Sequence, residues 1–411
     1  MSAAIVAFNT VGRPLQRTGL PLFSLDDRVL LDEAVRRTGL SDYGGSEFQE
    51  PLRLLLQCLD RESHLTPLGR ITARNDTLGL LENRLRLVED RKRHPGIAEV
   101  AIRSPLFIVG LPRTGSTLLH HLLAQDPARR VAQAWEVMYP SPPPERARYE
   151  KDPRIAQAER QLRWLDRIVP DFKKIHPLGA RLALECLAIM AGSFQSWRFN
   201  TMYRVPTYQE WLGHQDPGPA YQFHRRFLQH LAWSAPGERW VLKAPSHLHA
   251  LETLFETYPD ALVVQTHRDP VTVLASVASL TAVLRAGFSN RVDRVEIGRD
   301  VLQHWLKGIE SAIRIRQAGR VPSHRFLDVH YLDLVADPIA TVRGVYAHFG
   351  LTFTEETQGR IHGYFAERAK DRNGQHEYSL DTFALDPEEI AASFKGYRDH
   401  FGVRAEPAPG T

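Results

Sequence analysis

The sequence predicts an α/β protein with a three-layer fold of the phosphate-binding-loop (P-loop) type, in which helices cover both faces of a central parallel sheet. Three observations lead to this prediction. A buried strand beginning at Leu106 runs into a glycine-bounded loop and then into a helix. Further apolar strands alternate with helices, as in sheets that are covered on both faces. Residues 27–100 show helical periodicity with dense charge, so we expect a helical region that packs on this core.

The prediction divides the chain into a helical N-terminal region over residues 1–100 and a P-loop domain over residues 101–411. Residues 150–235 are a helical, aromatic-rich insertion within the second unit. Most of these rings are expected to fill a core, and a minority to line an apolar pocket. The aromatic residues are Trp164, Phe172, Phe194, Trp197, Phe199, Tyr203, Tyr208, Trp211, Tyr221, Phe223, Phe227 and Trp233. Three more buried strands are predicted, over residues 240–243, 261–267 and 325–331.

The amino-acid composition indicates the cellular compartment and the classes of binding partner. The formal net charge of +4 and the pI near 9.0 suit anionic small molecules and fall short of the basic stripes of nucleic-acid-binding proteins. Cys58 and Cys186 are the only cysteines, so neither a disulfide framework nor a thiolate metal site is expected. The N-terminus lacks the pattern of a signal peptide, and residues 182–194, taken as the longest apolar stretch, are too short to span a bilayer. We expect a cytoplasmic protein that does not span a membrane.

The loop after the first strand is the most informative segment. Gly110 and Gly115 bracket four residues, and Ser116 and Thr117 follow, which is the P-loop spacing except that Ser116 stands where nucleoside triphosphatases have a lysine. A cation lies inside the loop instead, as Arg113. Backbone N–H groups in such a loop, together with the N-terminus of the next helix, surround an anion. A 5′-phosphate or phosphosulfate would fit, whereas the missing lysine argues against a nucleoside triphosphate.

Taken alone, this spacing is explained equally well by an ordinary strand–turn–helix connection, and the rest of the chain decides. From residue 105 to about residue 401 the chain resembles the sulfotransferases that use 3′-phosphoadenosine 5′-phosphosulfate (PAPS), most closely the bacterial branch akin to tyrosylprotein sulfotransferases. The family loop reads Pro-Lys/Arg-Ser-Gly-Thr-Thr, and residues 112–117 here read Pro-Arg-Thr-Gly-Ser-Thr. The resemblance implies that the 5′-phosphosulfate is held by Arg113, Thr114, Gly115, Ser116 and Thr117.

A second family signature is a strand that ends in Arg-Asp/Asn-Pro and precedes a helix carrying a serine. Here Arg268 ends the strand and Ser276 follows in the helix. The resemblance implies that these two residues bind the 3′-phosphate, and a guanidinium and a hydroxyl can clasp one phosphate from two sides. Without the loop, a structural ion pair with Asp269 or another carboxylate would explain Arg268 equally well.

Two further matches lie nearer the C-terminus. Tyr331 begins a segment like the family's Tyr-Glu-Asp-Leu-x-x-x-Pro, so the resemblance implies a contact with the adenine nucleotide. A half-buried strand tyrosine is the alternative. Arg372 lies in a segment like the one that closes over the nucleotide in this branch. It is a candidate ligand of the 3′-phosphate, with a solvated loop charge as the alternative.

Sulfuryl transfer needs an aligned acceptor oxygen, a base for its proton, and positive charge at the bridging oxygen. Lys243, at the end of its strand, matches the lysine that relatives place beside the transferring group, and we assign it to the developing charge together with Arg113. The resemblance implies Glu136 as the base, because it lies after the loop helix about where the tyrosylprotein branch has its catalytic glutamate, and His247 is its rival. A structural role is the alternative for either residue. This scheme needs no metal, and no metal-ligand cluster is evident in the sequence.

The sequence therefore predicts an enzyme that transfers a sulfuryl group from PAPS to a hydroxyl of a hydrophobic alcohol, phenol or lipid. Carbohydrate or peptide acceptors stay open, as does a homodimer through the N-terminal helices. Two alternatives are a P-loop kinase that uses ATP and a non-catalytic nucleotide-binding protein. The kinase would require magnesium and a lysine after Gly115, and the binding protein would need neither Lys243 nor a base near the cleft.

Overall fold

A computed structural model describes residues 3–16, 20–170, 172, 177–235, 239–368 and 379–406. Its centre is a parallel sheet of five strands in the order β2-β3-β1-β4-β5. The strands are β1 (Leu106–Gly110), β2 (Arg129–Arg130), β3 (Arg239–Lys243), β4 (Leu262–His267) and β5 (Phe326–His330). The predicted α/β fold with a central parallel sheet is confirmed, and all four predicted strands are present.

Helices surround this sheet on both faces. Before β1 they are α1 (Ala3–Gln16), α2 (Asp27–Thr38), α3 (Gln49–Arg61) and α4 (Pro67–Arg93). Between β1 and β3 they are α5 (Ser116–Leu123), α6 (Ala134–Met138), α7 (Pro153–Ile168), α8 (Cys186–Met190), α9 (Arg198–Met202), α10 (Pro206–Leu212) and α11 (Gly218–Ala232). After β3 they are α12 (Leu251–Thr257), α13 (Pro270–Phe288), α14 (Arg294–Gln317), α15 (Tyr331–Ala336), α16 (Pro338–His348), α17 (Glu355–Arg368), α18 (Pro387–Ser393) and α19 (Lys395–Phe401).

The strand order explains where a ligand can bind. β1 lies between β3 and β4, and the chain leaves it in opposite directions to form these two neighbours. Ile108 pairs with Lys243, and Gly110 pairs with Thr266, so the ends of three strands meet at one edge. In open parallel sheets, ligands bind in the crevice outside the carboxyl ends of the strands at such a reversal. The loop after β1 lies there.

The N-terminal helices share a core with the aromatic-rich insertion. Buried residues of α2, α3 and α4 pack in one cluster with Phe194, Tyr208 and Phe288. Thr66, which caps α4, donates its backbone N–H to the carbonyl of Phe288 at 2.9 Å. A side chain at Gly69 would collide with that carbonyl, because a Cβ there would lie 1.9 Å from its oxygen. Close packing therefore ties α4 to the end of α13.

Helix α13 corrects the expectation about the longest apolar segment. It is long and apolar enough to cross a membrane by length and composition, unlike residues 182–194, which form only the short α8 and a 3-10 turn. However, 83% of its apolar window is buried inside the protein. In this fold α13 is a core helix, and Asp269 caps its N-terminus by accepting the N–H of Val271 at 3.2 Å.

Candidate active site

The loop between β1 and α5 has the conformation of an anion cradle. Gly110 and Gly115 have φ angles of 130° and 81°, and a Cβ at Gly110 would lie 2.4 Å from the carbonyl oxygen of Thr266. Arg113 also adopts a positive φ of 64°, a strained conformation for a residue with a side chain. The first hydrogen bond of α5 runs from the N–H of Leu119 to the carbonyl of Gly115. The preceding N–H groups at this helix end are therefore oriented toward the crevice.

Not every side chain of the loop faces a ligand. The hydroxyl of Thr114 is buried against the sheet, where it donates to the carbonyl of Leu111 at 2.6 Å and contacts the Thr266 hydroxyl at 2.6 Å. Only the backbone of Thr114 is left for an anion, which narrows the expectation that this residue holds the phosphosulfate. Ser116 is 5% exposed at the start of α5.

Arg113, Arg268 and Ser276 lie together, as the sequence predicts for a cleft that holds both ends of one nucleotide. The Arg113 Nε donates to the Ser276 Oγ at 3.1 Å, and an Arg268 Nη donates to the Arg113 carbonyl at 3.2 Å. The Arg113 guanidinium thus contacts a predicted ligand of the 3′-phosphate, although the resemblance assigns Arg113 to the 5′-phosphosulfate. The Arg268 guanidinium also lies over the ring of Tyr331, 3.9 Å from its centroid. Tyr331 is therefore at the site, at the start of α15.

A carboxylate from the C-terminal segment forms an ion pair with Arg268. Both oxygens of Glu406 accept hydrogen bonds from its guanidinium, at 2.9 and 3.1 Å. The backbone N–H of Glu406 in turn donates to the Asp269 carboxylate at 2.8 Å. A bidentate carboxylate is geometrically the closest protein substitute for a phosphate on an arginine. This contact was not predicted from the sequence.

Lys243 reaches the loop from the end of β3. Its Nζ donates to the Thr117 Oγ1 at 3.2 Å and also contacts the carboxylate of Glu185. The side chain of Lys243 is 3% exposed, and that of Glu185 is 20% exposed. A buried lysine with a carboxylate partner, next to the anion loop, is placed where charge develops in a transfer reaction.

The short segment before α8 fixes the position of Glu185. The Leu184 N–H donates to the Ala132 carbonyl at 2.8 Å, and the Ala134 N–H donates to the Leu182 carbonyl at 2.9 Å. This pairing brings Glu185 to the wall of a cavity that adjoins the loop. Glu185 was not among the residues predicted from the sequence, although a lone carboxylate within the apolar residues 182–194 was a usable signal.

The structure does not place Glu136 in this cleft. Its side chain is 0% exposed and lies outside the cavity wall. One carboxylate oxygen accepts from Arg130 at 2.5 Å, and the other accepts the Gln133 N–H at 2.9 Å in a capping box at the start of α6. Burial raises the pKa of Glu136, against the opposing effect of Arg130. Because both oxygens are engaged away from the crevice, Glu136 is a structural residue in this fold and not an accessible base.

Replacing Glu136 by glutamine is expected to lower the free energy of unfolding by about 3–5 kcal/mol, because Arg130 would lose its buried counter-charge. The folded fraction should keep turnover within about tenfold of the original. Denaturant unfolding and initial rates, normalised to folded protein, measure the two effects. Loss of turnover in a fully stable variant would restore Glu136 as the base.

His247 is also outside the crevice. It is 1% exposed, and its Nδ1 shares a hydrogen bond of 2.6 Å with the hydroxyl of Tyr221. Its ring packs edge-on against Phe107 at 5.2 Å between centroids. Burial lowers the pKa of His247 well below its usual value, so the ring is neutral. His247 therefore turns into the core, where it cannot reach an acceptor in the crevice.

A cavity of about 710 Å³ opens beside Lys243 and the loop. Pro112, Glu185 and Ser246 form its wall nearest the loop. The aromatic-rich insertion contributes Trp164, Phe172 and Trp197 to the wall. The other predicted rings lie elsewhere, with Phe194, Phe199, Tyr203 and Tyr208 in the core shared with the N-terminal helices and Tyr221 and Phe227 in the sheet core. A minority of the rings thus lines the pocket.

Comparisons with known proteins decide the family. A profile of the sulfotransferase family matches residues 105–355. The chain belongs to this family. The sulfotransferase STF1 of Mycobacterium tuberculosis H37Rv is 36% identical, with a TM-score of 0.79 over 89% of this chain and 97% of that one. The sulfotransferase STF9 of Mycobacterium avium is 29% identical, with a TM-score of 0.85 over 93% of this chain and 98% of that one.

One relative has a name that specifies its acceptor. The omega-hydroxy-beta-dihydromenaquinone-9 sulfotransferase Stf3 of Mycobacterium tuberculosis is 26% identical over 304 residues, which are 70% of this chain and 74% of that protein. The predicted membership of a bacterial sulfotransferase branch is confirmed, and the protein is an enzyme. The kinase and the non-catalytic binding protein are thereby set aside.

The sequence also makes predictions about Arg372 and about metal binding in this sulfotransferase. Arg372 lies outside the described residues, so its role as a ligand of the 3′-phosphate stays a prediction. Among the described residues, no three His, Cys, Asp or Glu side chains are arranged to hold a metal ion.

Proposed function

We propose that this sulfotransferase moves the sulfuryl group of PAPS to the hydroxyl of a hydrophobic, lipid-like small molecule by in-line transfer without a metal. One observation carries the proposal. The anion loop contacts Arg268 and Lys243, its Pro112 lies on the wall of the cavity, and Glu185 belongs both to the Lys243 ion pair and to that wall. A phosphate-binding crevice and an apolar pocket thus share one boundary, at which a carboxylate and an ammonium group face each other.

The residues suit a nucleotide that carries phosphate at both ends. The N–H groups of residues 114–117 and the Thr117 side chain would take the 5′ end. Arg268 and Ser276 would take the 3′-phosphate, with Arg113 between the two ends. Tyr331 lies against both the loop and Arg268, since a Cβ at Gly115 would be 3.0 Å from its ring.

The transfer step assigns one role to each charged group. Glu185 accepts the proton from the acceptor hydroxyl while the new oxygen–sulfur bond forms. The bond between sulfur and the bridging oxygen of the donor breaks, and adenosine 3′,5′-bisphosphate (PAP) leaves. Lys243 stabilises the negative charge that develops on the bridging oxygen, and Arg113 assists from the loop. The atoms and charges balance without a metal or redox partner.

The acceptor is inferred from the cavity. Its volume of about 710 Å³ and its aliphatic and aromatic wall are typical of sites for lipid-sized molecules. The relative Stf3 is named for an omega-hydroxylated menaquinone derivative, which supports the same class of acceptor. We place the enzyme in the cytoplasm, because its two cysteines are free and buried, as is usual where thiols stay reduced.

Incubation of the protein with dodecanol and PAPS carrying radiolabelled sulfate, in the presence of a chelator, tests this proposal. We expect dodecyl sulfate and PAP to form in equal amounts. ATP with magnesium should give no phosphorylated alcohol. Transfer that stops on chelation would contradict the metal-independent mechanism. When a cell extract replaces dodecanol in the same assay, label found only in sugars or peptides would contradict the proposed acceptor.

The Glu406 contact leads to a prediction about nucleotide affinity. Because its carboxylate occupies the guanidinium that would hold the 3′-phosphate, PAP must displace it. The variant Glu406→Gln lacks the charge and should bind PAP about 10-fold more tightly. Calorimetric titration measures this change. Adenosine 5′-phosphate, which has no 3′-phosphate, is the matched control and should bind both proteins equally. Unchanged or weaker PAP binding would show that Glu406 does not compete with the nucleotide.

A further inference from the structure

One face of α13 lines the cavity, and the N-terminal half of the same helix reaches the nucleotide crevice. Val277, Leu280, Thr281, Leu284, Arg285 and Phe288 line the wall at the spacing of a single helical face. Ser276, one turn before Leu280 in the same helix, contacts Arg113 in the crevice. Arg285 lies nine positions further along (285 minus 276), which is about 13 Å along the helix axis. The helix therefore sets a fixed distance between the crevice and Arg285.

Arg285 differs from the other charged residues of the cavity wall. Arg37 pairs with Glu82 at 3.4 Å, Arg198 pairs with Asp76 at 3.0 Å, and Glu185 pairs with Lys243. Arg285 has no ion pair among the described residues. Among the described residues of the wall, Asp300 also has no ion pair, and its carboxylate attracts the Arg285 guanidinium at longer range.

Arg285 is nevertheless deeply buried. It is 5% exposed, and burial lowers its pKa below the usual arginine value. One Nη donates to the backbone carbonyl of Asn200 at 2.7 Å, but its Nε has no hydrogen-bond partner in the described part of the chain. The side-chain oxygen of Asn200, also on the cavity wall, likewise lacks a partner there. Unpaired buried polar groups are costly, so a cavity that keeps both is built for a polar ligand group.

We propose that Arg285 binds a carbonyl or carboxylate oxygen of the acceptor, about 13 Å along α13 from the nucleotide crevice. The acceptor is then a long amphiphile with a hydroxyl at one end and an oxygen acceptor group further along an apolar chain. This assignment rests on the proposed function, because it treats the cavity as the acceptor site. It adds a specificity-determining contact that selects the distance between the two polar groups.

Binding of molecules that cannot be sulfated tests the subsite directly. Dodecanoate carries the oxygen group without a hydroxyl, and methyl dodecanoate carries a neutral carbonyl. Calorimetry on the full chain should show that Arg285→Gln weakens dodecanoate binding by about 10- to 100-fold while dodecanol binding changes little. An equal loss for methyl dodecanoate would identify a carbonyl as sufficient, and a loss for dodecanoate alone would identify a carboxylate. Equal effects on dodecanoate and dodecanol would overturn the proposal.

Two control variants distinguish loss of the Arg285 contact from loss of stability and from a change in the charge of the cavity wall. Arg285→Lys keeps the charge and should retain a preference for dodecanoate, even if the fold is less stable. Arg37→Gln removes another cavity arginine that is already ion-paired, and the ratio of the two affinities should not change. Sulfuryl transfer to dodecanol by the same preparations tests the proposed function separately. Transfer to dodecanol without an Arg285-dependent preference for dodecanoate would contradict the subsite but not the proposed function. An Arg285-dependent preference for dodecanoate without any transfer would contradict the proposed function but not the subsite.

Discussion

Replacing Glu185 by glutamine is expected to lower kcat by about 10²- to 10⁴-fold, the usual contribution of a positioned general base. Glu185 contacts the Lys243 ammonium group and lies on the wall of the acceptor cavity. The amide of glutamine keeps the shape and can still hydrogen-bond to Lys243, but it cannot accept the acceptor's proton. Initial rates with PAPS and a saturating long-chain alcohol measure the loss. PAP affinity should not fall, because the loop, Arg268 and the charged Lys243 all remain in place to hold the nucleotide.

Two variants make this result specific. Glu82→Gln alters another carboxylate of the cavity wall, which pairs with Arg37 and Arg86, and it should leave kcat nearly unchanged. Glu185→Asp keeps a carboxylate and should recover part of the lost rate. If Glu185→Gln turned over at the original rate with the fold intact, the proton would have to go elsewhere.

Replacing Lys243 by methionine is expected to lower kcat by about 10²- to 10³-fold, the size seen when one stabilising donor is removed from a developing oxyanion. The Lys243 side chain is 3% exposed and contacts both the loop residue Thr117 and Glu185. Methionine fills similar space without the charge, so loss of rate reports electrostatic stabilisation. Single-turnover rates with bound PAPS isolate this step from nucleotide release.

The double variant with Glu185→Gln gives an independent check on Lys243. Residues that act as a unit have strongly non-additive effects, so the double variant should be little slower than the slower single variant. Lys243→Arg keeps the charge with a different shape and should retain more activity than methionine. Multiplicative losses would mean that the two residues act in separate steps and not as one pair.

The sheet and its loop were predictable because their signals are local. β1 is a continuous apolar run and β4 begins with three apolar residues, which is how strands buried on both faces look in sequence. β2 was missed for the opposite reason. It is two arginines, and it is a strand only because Arg129 and Arg130 pair with Arg239 and Trp240 far along the chain. Pairing between distant segments leaves no periodic pattern in such a short strand.

The same distinction applies to the site. Lys243 ends a strand, Arg113 and Arg268 follow one closely, and Ser276 lies in the helix after β4, so short motifs placed them at the carboxyl edge of the sheet. Glu185 has no such motif, since its position depends on pairing of its segment with residues 132–134.

Glu136 and His247 show the reverse error. Their residue type and distance from a motif suited a base, but local geometry directs Glu136 to Arg130 and His247 to Tyr221. The spacing of a motif predicts where the backbone goes, and it does not predict which way a side chain a few residues later will point. Burial and hydrogen-bond partners settle that orientation.

A crystal structure of the full chain with PAP bound is the most direct test of the central claim, that one crevice holds both ends of the nucleotide at the mouth of the acceptor cavity. We predict the 3′-phosphate within hydrogen-bond distance of Arg268 and Ser276, with Glu406 displaced. We predict the 5′-phosphate in the loop over residues 113–117, with Lys243 beside its outer oxygens. A nucleotide bound away from this loop, or a 3′-phosphate that contacts neither Arg268 nor Ser276, would contradict the account.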